Sequence, residues 1–268
     1  MNKVLNIVPV PVPPEALGAF AAQIPPAIVF PGFENVFVCA QAGGTSLDSA
    51  YETTLADAFV LEAGCRAEEQ GYAAVCVNSM SDSALAALRS RLTIPVVAPS
   101  QASMLLAALL GKKFSVVTMW PQWHELYFKA AREHGLTAKL ASVRDIGVPP
   151  NAAELLAGKE DFVFEALERE ARAAIDEDGA DVIILGSTTM HQSHAYLERV
   201  LDVPVLNPGV VAYKMCELLV TTGLSHSKRA YPSPEPRPGR APVRCPSPGP
   251  AELNGNDHDE RRQSRDRT

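Results

Sequence analysis

Along the first 230 residues, short β-branched apolar runs alternate with longer stretches rich in Ala, Leu and Glu. The apolar runs are nearly continuous, which is typical of parallel strands covered on both faces. Strands are predicted at 4–10, 35–40, 73–79, 94–99, 114–119, 181–187 and 203–208. Helices are predicted between them, at roughly 49–70, 82–91, 101–111, 121–135, 160–178, 190–200 and 209–222. This alternation predicts an α/β fold with parallel sheet and right-handed crossovers.

The sequence also repeats itself at a distance of about 110 residues. Segments 72–110 and 180–219 each contain a strand, a serine, a polar turn, a short helix, a Pro-Val motif closed by a second proline, and another helix. The matched residues are Ser79 with Ser187, Pro95 with Pro204 and Pro99 with Pro208. We therefore predict one α/β domain over 1–231, built from two pseudo-twofold-related parallel-sheet halves, about 1–111 and about 112–222. An exchange of strands between the halves stays open.

Two such halves would place equivalent strand ends on opposite sides of one cleft, because ligands of open α/β sheets bind outside the carboxyl ends of the strands. Ser79 and Ser187 stand at two of these ends and are predicted as the catalytic pair. The cleft is predicted to be lined by segments 9–12, 78–82, 118–120 and 187–191. The predicted substrate-binding residues are Asn78, Thr118, Thr188, Thr189 and His191.

Two facing groups suit a racemase, which needs a base on one face of a carbon and an acid on the other. A serine hydroxyl is a weak acid and needs a neighbouring base to react. His191 follows Ser187 within about a turn and could polarise its hydroxyl. For each serine, a helix N-cap or a plain hydrogen bond to a ligand stays open as an alternative.

Composition narrows the classes of function. The net charge of −7, without a basic stripe, disfavours nucleic-acid binding. No apolar run approaches the roughly 20 residues that span a bilayer, and the N-terminus lacks the pattern of a signal peptide. Five scattered cysteines, without CxxC or HxxxH spacing, predict neither a disulfide framework nor a zinc site. A cytoplasmic protein that binds a small molecule, with no metal and no organic cofactor, is the expectation.

The composition changes abruptly near residue 231. Segment 232–250 contains 8 prolines in 19 residues, and the remainder to 268 is almost wholly polar. Neither part offers enough apolar surface to offset the entropy of ordering it. We predict a disordered tail over 232–268, and the preceding run 225–231 is expected to be a solvated terminus.

Several motifs, in order and at fitting distances, resemble the aspartate/glutamate racemase superfamily and its hydantoin racemase-like branch. The resemblance covers roughly residues 1–230. It is carried by SLDSAYE (46–52), VCVNSMSDSALAALR (75–89), IPVVAPSQASM (94–104), GKKFSVVTM (111–119), IDEDGADVIILGSTTM (175–190), VPVLNPGVVAYK (203–214) and GLSHSK (223–228).

The resemblance implies a cofactor-independent racemase or isomerase that acts by proton transfer at an activated carbon. In that family two cysteines occupy the two strand ends, where this chain has Ser79 and Ser187. The family's polar Asn-Pro-Asn-Thr segment, which binds a carboxylate, reads here as the largely apolar stretch 7–11. Cys76 lies three residues before Ser79 and is expected to be a buried, inert thiol. Relatives with this fold often associate through helices, so a homo-oligomer is also an expectation.

Three functions therefore stay open at this point. The first is an isomerase acting on a small carbonyl, ureide or carboxylate compound such as a 5-substituted hydantoin. The second is a lyase or hydrolase on the same scaffold that pairs His191 with Ser187. The third is a binding or accessory protein that kept the fold without the thiols.

Overall fold

The strands of the protein form two parallel sheets of four strands each. The computed structural model describes residues 1–149 and 161–235. The first sheet has the order β2-β1-β3-β4, with β1 Asn2–Val8, β2 Phe33–Cys39, β3 Tyr72–Val77 and β4 Val96–Val97. The second has the order β6-β5-β7-β8, with β5 Phe114–Thr118, β6 Leu140–Asp145, β7 Val182–Leu185 and β8 Val205–Leu206. The strand order is the same in both sheets, and the predicted α/β fold is confirmed.

The strands differ in burial, and one of the less buried strands, β6, was not predicted from the sequence. In β7 every residue is buried, and β5 is also buried throughout. All of β6 is only half-buried, because it forms the edge of the second sheet. Its sequence LASVRD mixes polar and apolar residues, so β6 was not among the predicted strands.

Eight helices are described, one of which, α1, was not predicted. They are α1 Pro14–Ala21, α2 Ala50–Gly64, α3 Leu85–Arg91, α4 Pro99–Leu110, α5 His124–Glu133, α6 Asp161–Asp176, α7 His191–Val200 and α8 Pro208–Thr222. A proline at the first position of α1, α4 and α8 favours these starts, since its missing N–H has no intrahelical partner there anyway. The start of the predicted helix 160–178 falls at the edge of segment 150–160, outside the described residues.

The helices that close each sheet cross to the other one. Met104 and Ala107 of α4 pack against the second sheet, in a cluster with Phe114 and Ile184. From the second half of the chain, α8 packs against the first sheet, where Cys216 and Tyr213 join a cluster with Val4, Ala74 and Cys76. The Sγ of Cys216 lies 3.6 Å from the Val75 carbonyl oxygen. Each sheet takes its strands from one segment, and it is the long helices that are exchanged.

The sequence predicted that segment 225–231 is a solvated terminus, but in the structure this segment is held against the rest of the fold. It docks along the end of α3 through polar side chains. Lys228 Nζ donates to the Arg89 and Ser90 carbonyl oxygens, at 2.7 and 3.0 Å. Its positive charge therefore meets the free carbonyls at the C-terminus of α3, which is a favourable position for a cation. Arg89 in turn contacts the Tyr231 hydroxyl at 3.1 Å.

Within the described ranges, no helix is long and apolar enough to cross a membrane. The same residues hold no group of three or more His, Cys, Asp or Glu side chains placed to bind a metal ion. The predicted disordered tail lies outside the described residues from 236 onwards.

Candidate active site

A cavity of about 480 Å³, here called the central cavity, lies at the carboxyl ends of the strands of both sheets. The chain segments that follow β1, β3 and β7 supply most of its wall. The loop after β2 and helix α5 supply the rest. The lining residues are Val8, Pro9, Val10, Pro11, Val12, Pro13, Ala16, Phe20, Thr45, Ser46, Leu47, Asn78, Ser79, Met80, Ser81, Trp123, Leu126, Tyr127, Gly186, Ser187, Thr188 and Thr189.

The two serines line this cavity in matching local geometry. Ser79 Oγ accepts the backbone N–H of Ser81 at 3.3 Å and lies 2.7 Å from the Ser81 hydroxyl. Ser187 Oγ accepts the backbone N–H of Thr189 at 3.2 Å and lies 2.8 Å from the Thr189 hydroxyl. In both turns the serine is thus bonded to the backbone and the hydroxyl of the residue two positions on. A donor at an oxygen favours its negatively charged form, so each turn supports a serine that gives up its hydrogen.

No histidine, carboxylate or amine is hydrogen-bonded to either serine among the described residues. His191 lines a neighbouring pocket instead of the central cavity. Its Nδ1 atom is buried without a hydrogen-bond partner in the described part of the chain. Burial lowers the pKa of His191, against a smaller opposing effect of the Thr189 backbone. His191 thus makes no hydrogen bond to Ser187 among the described residues, and its role as a substrate contact stays a prediction.

Tyr127 fixes the strand end that carries Ser187. Its side chain is fully buried, and its hydroxyl donates to the Gly186 carbonyl oxygen. Since the phenol has one hydrogen, the Thr118 hydroxyl must donate to Tyr127, at 2.9 Å. Burial raises the pKa of Tyr127, so the phenol remains a donor. A side chain at Gly186 would meet Thr118 Cβ at 2.4 Å, which explains the glycine.

Thr118 therefore stands behind the cavity wall. It is buried and is not among the lining residues, so the predicted contact of Thr118 with substrate would have to pass through Tyr127. Tyr127 was not among the predicted site residues. It lies between Leu126 and Phe128 on α5, so it resembles an ordinary core residue of a helix, and this concealed its role.

Asn78 presents the one unsatisfied amide in the cavity wall. It is 1 % exposed, and neither Nδ2 nor Oδ1 has a hydrogen-bond partner within the described residues. A buried polar group without a partner costs roughly 1–3 kcal/mol, so such a group in a binding cavity is suited to a ligand. The amide offers two donors and an acceptor side by side, which matches a ring that contains both C=O and N–H.

Asp82 serves the fold instead of the cleft. It was predicted to line the cleft, within segment 78–82, yet it is not among the residues that line the central cavity. The Asp82 carboxylate accepts the backbone N–H groups of Ser100 and Gln101, each at 2.9 Å, and so caps α4. This long-range cap has no local sequence signature.

The loop after β2 is a part of the site that sequence reasoning missed. Ser46 and Leu47 line the cavity, and both of their backbone N–H groups donate to Glu52 Oε2, at 2.8 and 2.6 Å. Although burial raises the pKa of Glu52, these backbone donors lower it below the ordinary value. Trp123 Nε1 donates to the Ser46 carbonyl oxygen at 2.7 Å. The signal was a capping box, Ser49 with Glu52 three residues on, which points to a fixed helix start.

All of the described residues that line the cavity are uncharged. Of the predicted site residues, the structure brings together Ser79, Ser187, Asn78, Thr188 and Thr189, and it leaves Thr118 and His191 outside the wall. The predicted lining residues Asp82 and Trp120 also lie outside it, while 9–12 lie within it. Cys76 is fully buried in β3 and does not reach the cavity.

Comparison with known proteins agrees with this architecture. A model of the Asp/Glu/hydantoin racemase family matches residues 18–216. The hydantoin racemase of Pseudomonas sp. (strain NS671) is 31% identical over 203 residues, which is 75% of this chain and 80% of that protein. The solved allantoin racemase from Klebsiella pneumoniae superimposes with a TM-score of 0.80 at 28% identity, over 88% of this chain and 95% of that one. An allantoin racemase from Pseudomonas fluorescens gives a TM-score of 0.78 at 31% identity, over 88% and 98%.

Proposed function

The chain belongs to the Asp/Glu/hydantoin racemase family and is a racemase-like isomerase, and we propose that it inverts C5 of a neutral hydantoin ring with an apolar 5-substituent. The observation that carries this proposal is the uncharged central cavity, flanked by Ser79 and Ser187 in matching turns. Its relatives named above act on hydantoin or allantoin, which share one ring of alternating C=O and N–H groups.

The absence of charge in the described lining argues for a neutral ring over a free dicarboxylate. A carboxylate that enters an apolar site without a cation to pair with keeps most of its desolvation cost. Free aspartate or glutamate would carry two carboxylates into this cavity. A hydantoin ring carries none, and the Asn78 amide matches its adjacent C=O and N–H groups.

An apolar wall favours a substituent of the same character. Val8, Val10, Val12, Phe20 and Leu126 all line the cavity, and together they offer a site for an aromatic or aliphatic side chain. Burying such a group contributes roughly 1.5–3 kcal/mol. The polar ureido group of allantoin gains less from these contacts, so it is the poorer substrate.

In the proposed reaction Ser79 and Ser187 act on opposite faces of C5. The hydrogen at C5 is acidic because the neighbouring carbonyl accepts the electron pair as an enolate. One serine oxygen takes this proton as it gives up its own hydroxyl hydrogen, and the other serine gives its hydroxyl hydrogen to the opposite face and is protonated again. Thr188 and Thr189 hold the ring beside Ser187, and Asn78 holds it beside Ser79.

The test uses the full chain and single enantiomers of 5-benzylhydantoin, allantoin and aspartate in deuterated water. Inversion is followed by polarimetry, and exchange at the α or C5 hydrogen by NMR. We expect inversion of 5-benzylhydantoin to be fastest, allantoin slower, and aspartate unchanged. Ser79→Ala and Ser187→Ala should each slow inversion by roughly 10²–10⁴-fold, the usual contribution of an acid or base.

Ser115→Ala is the matched control, because Ser115 does not line the cavity. Its buried hydroxyl oxygen lies 2.8 Å from the Ser142 hydroxyl oxygen. It should keep the wild-type rate. Full activity of either serine variant would contradict the two-serine mechanism. Tight binding of 5-benzylhydantoin with neither inversion nor exchange would instead identify a binding protein.

The proposal includes a cytoplasmic homo-oligomer. Leu105 and Leu109 on α4 and Leu218 on α8 are exposed apolar side chains on two helices that pack on each other. Such a face supports association with a second copy. Light scattering of the purified chain measures the oligomeric state, and a monomer at micromolar concentration would contradict this part.

A further inference from the structure

We propose that Ser81 and Thr189 are proton-relay residues, which connect the two serines to solvent in two separate side pockets. The inference rests on the proposed racemase reaction. It answers a difficulty left by the geometry, namely that neither serine has a base beside it in the described chain. A serine that passes its own hydrogen onwards can take its base from solvent at the far end of the relay instead of from an adjacent side chain.

The first relay runs from Ser79 to Ser81. Their hydroxyl oxygens are 2.7 Å apart, which is the ordinary distance for an O–H···O hydrogen bond. Ser81 lines the central cavity and also a pocket on its other side, the first side pocket, which contains Asp82 and His134. The Ser81 hydroxyl is further held at 2.6 Å by Ser83, which is 1 % exposed. Ser81 therefore stands in the wall between the two cavities, in a fixed position.

The second relay runs from Ser187 to Thr189, with their hydroxyl oxygens 2.8 Å apart. Thr189 lines the central cavity and the second side pocket, which contains His191. The buried Nδ1 of His191 has no partner within the described residues. A polar atom of this kind beside a pocket is suited to hold a water molecule.

The same arrangement has been built twice from different residues. A serine hydroxyl and a threonine hydroxyl occupy the same place two positions after the reactive serine, and both bridge to a pocket that contains a histidine. Beyond these residues the chain follows different paths in the two halves, so the match is confined to the serine, the hydroxyl two positions on and the pocket behind it. A shared task in moving protons accounts for all three.

The relay conserves both the protons and the electron pair of the reaction. The C5–H bond breaks, its electron pair moves to the ring carbonyl, and the proton joins Ser79 Oγ as the Ser79 hydrogen passes to Ser81. The Ser81 hydrogen passes to a hydroxide ion from solvent in the first side pocket, which becomes water. On the other face, a water molecule in the second side pocket gives a proton to Thr189 and leaves as hydroxide, and the Thr189 hydrogen passes to Ser187. The Ser187 hydrogen forms the new C5–H bond as the electron pair returns to carbon.

The experiment measures, for each enantiomer of 5-benzylhydantoin in deuterated water, deuterium in recovered substrate relative to inverted product. A connected relay lets the captured proton exchange with solvent before it returns to the same face. We expect Ser81→Ala to lower this ratio roughly tenfold for one enantiomer, and Thr189→Val to lower it for the other. Thr189→Ser keeps the hydroxyl and should restore the wild-type ratio.

An exchange ratio that fell alike for both enantiomers in each variant would indicate a structural role and overturn the relay. So would unchanged ratios in both variants. Either result leaves the proposed function standing, because wild-type inversion is measured in the same experiment. Absence of both inversion and exchange in the wild type would overturn the proposed function and the relay together. Should Ser81→Ala fail to fold, the Thr189→Val and Thr189→Ser pair decides the question.

Discussion

The two serine turns share their first three residues in geometry and then diverge. After Ser79 the chain passes through Asp82 and Ala84, both in the left-handed region with φ of 50° and 55°, before α3 begins. After Ser187 it runs through a 3₁₀ turn, Thr188–Met190, directly into α7 without a left-handed residue. The first turn is held by a residue of its own: the Asp82 carboxylate accepts a backbone N–H at the start of α4. The second turn is held by a residue outside it: the Tyr127 phenol donates to the Gly186 carbonyl oxygen. These two contacts are here called the first and the second brace.

The two halves thus share the position of the serine and of the two residues after it, but not the path of the chain beyond them. Equivalent serine oxygens at equivalent strand ends are followed by different chain paths and held by different contacts. If the serines work as a pair, damage to either brace should affect the reaction in a similar way while affecting stability unequally.

The largest effect is expected at the second brace. Gly186→Ala places a Cβ 2.4 Å from Thr118 Cβ, and the crowding should destabilise the fold by about 3 kcal/mol. Urea denaturation measures this loss. Gly18→Ala is the control, since a Cβ there meets nothing within 4 Å. Equal stability of the two variants would show that the side chains behind Ser187 can move aside for the added methyl group.

Removing the phenol alone should cost somewhat less. Tyr127→Phe leaves the buried Gly186 carbonyl without its donor, which should lower the free energy of unfolding by about 2 kcal/mol. We expect the rate of inversion to fall with it, because the Ser187 strand end shifts. Tyr196→Phe removes a hydroxyl bonded to Glu168 instead and should leave the rate unchanged. A normal rate for Tyr127→Phe would remove Tyr127 from the site.

The brace of the first turn is tested by Asp82→Ala. Loss of this cap leaves the Ser100 and Gln101 N–H groups unpaired and should destabilise the protein by about 1 kcal/mol. Asp82→Asn keeps one acceptor oxygen and should recover part of the loss. Thermal unfolding compares the variants. An Asp82→Ala protein as stable as the wild type would mean that the first turn stands without its brace.

The loop after β2 is held in the first half by its hydrogen bonds to Glu52, which should respond to pH. The pKa of Glu52 is lowered in the folded protein, so its stabilising contribution is present above the ordinary carboxyl pKa. It is lost as the pH falls through the lowered folded value. We expect KM for 5-benzylhydantoin to stay constant from neutral pH down to about 4.5 and to rise below it. Glu52→Gln should raise KM at neutral pH and abolish this acid dependence; a parallel dependence in the variant would contradict the assignment.

The smallest effect concerns the left-handed residue Ala84. Ala84→Gly relieves a strained φ but gives the unfolded chain more freedom, so a net stabilisation below about 1 kcal/mol is expected. Ala86→Gly, inside α3, should destabilise by about 1 kcal/mol. Calorimetry resolves the opposite signs. Destabilisation by Ala84→Gly would show that the turn is not strained there.

Much of the fold could be predicted from the sequence, because inner strands of a parallel sheet are continuous apolar runs. The edge strand β6 escaped prediction since its sequence LASVRD mixes polar and apolar residues, and α1 escaped since it begins within a proline-rich stretch. The repeat of Ser79 and Ser187 led to the cavity, because position at a strand end is a local property. Asp82 and Tyr127 were missed or misassigned because their partners lie on other elements, and no local pattern records such contacts. Glu52 was missed although its pattern with Ser49 is local, because that pattern predicts a helix start and not the bonds to the cavity-lining loop.

The exchange of α4 and α8 has a consequence for the order in which the protein is made. The first sheet is complete at β4, yet α8, which covers Val4, Ala74 and Cys76, leaves the ribosome about 110 residues later. At ordinary rates of translation this delay is on the order of 5–20 s. During that interval the nascent first sheet has an apolar face with no covering helix of its own. This face of the nascent sheet can therefore be fully covered only once synthesis has passed residue 222.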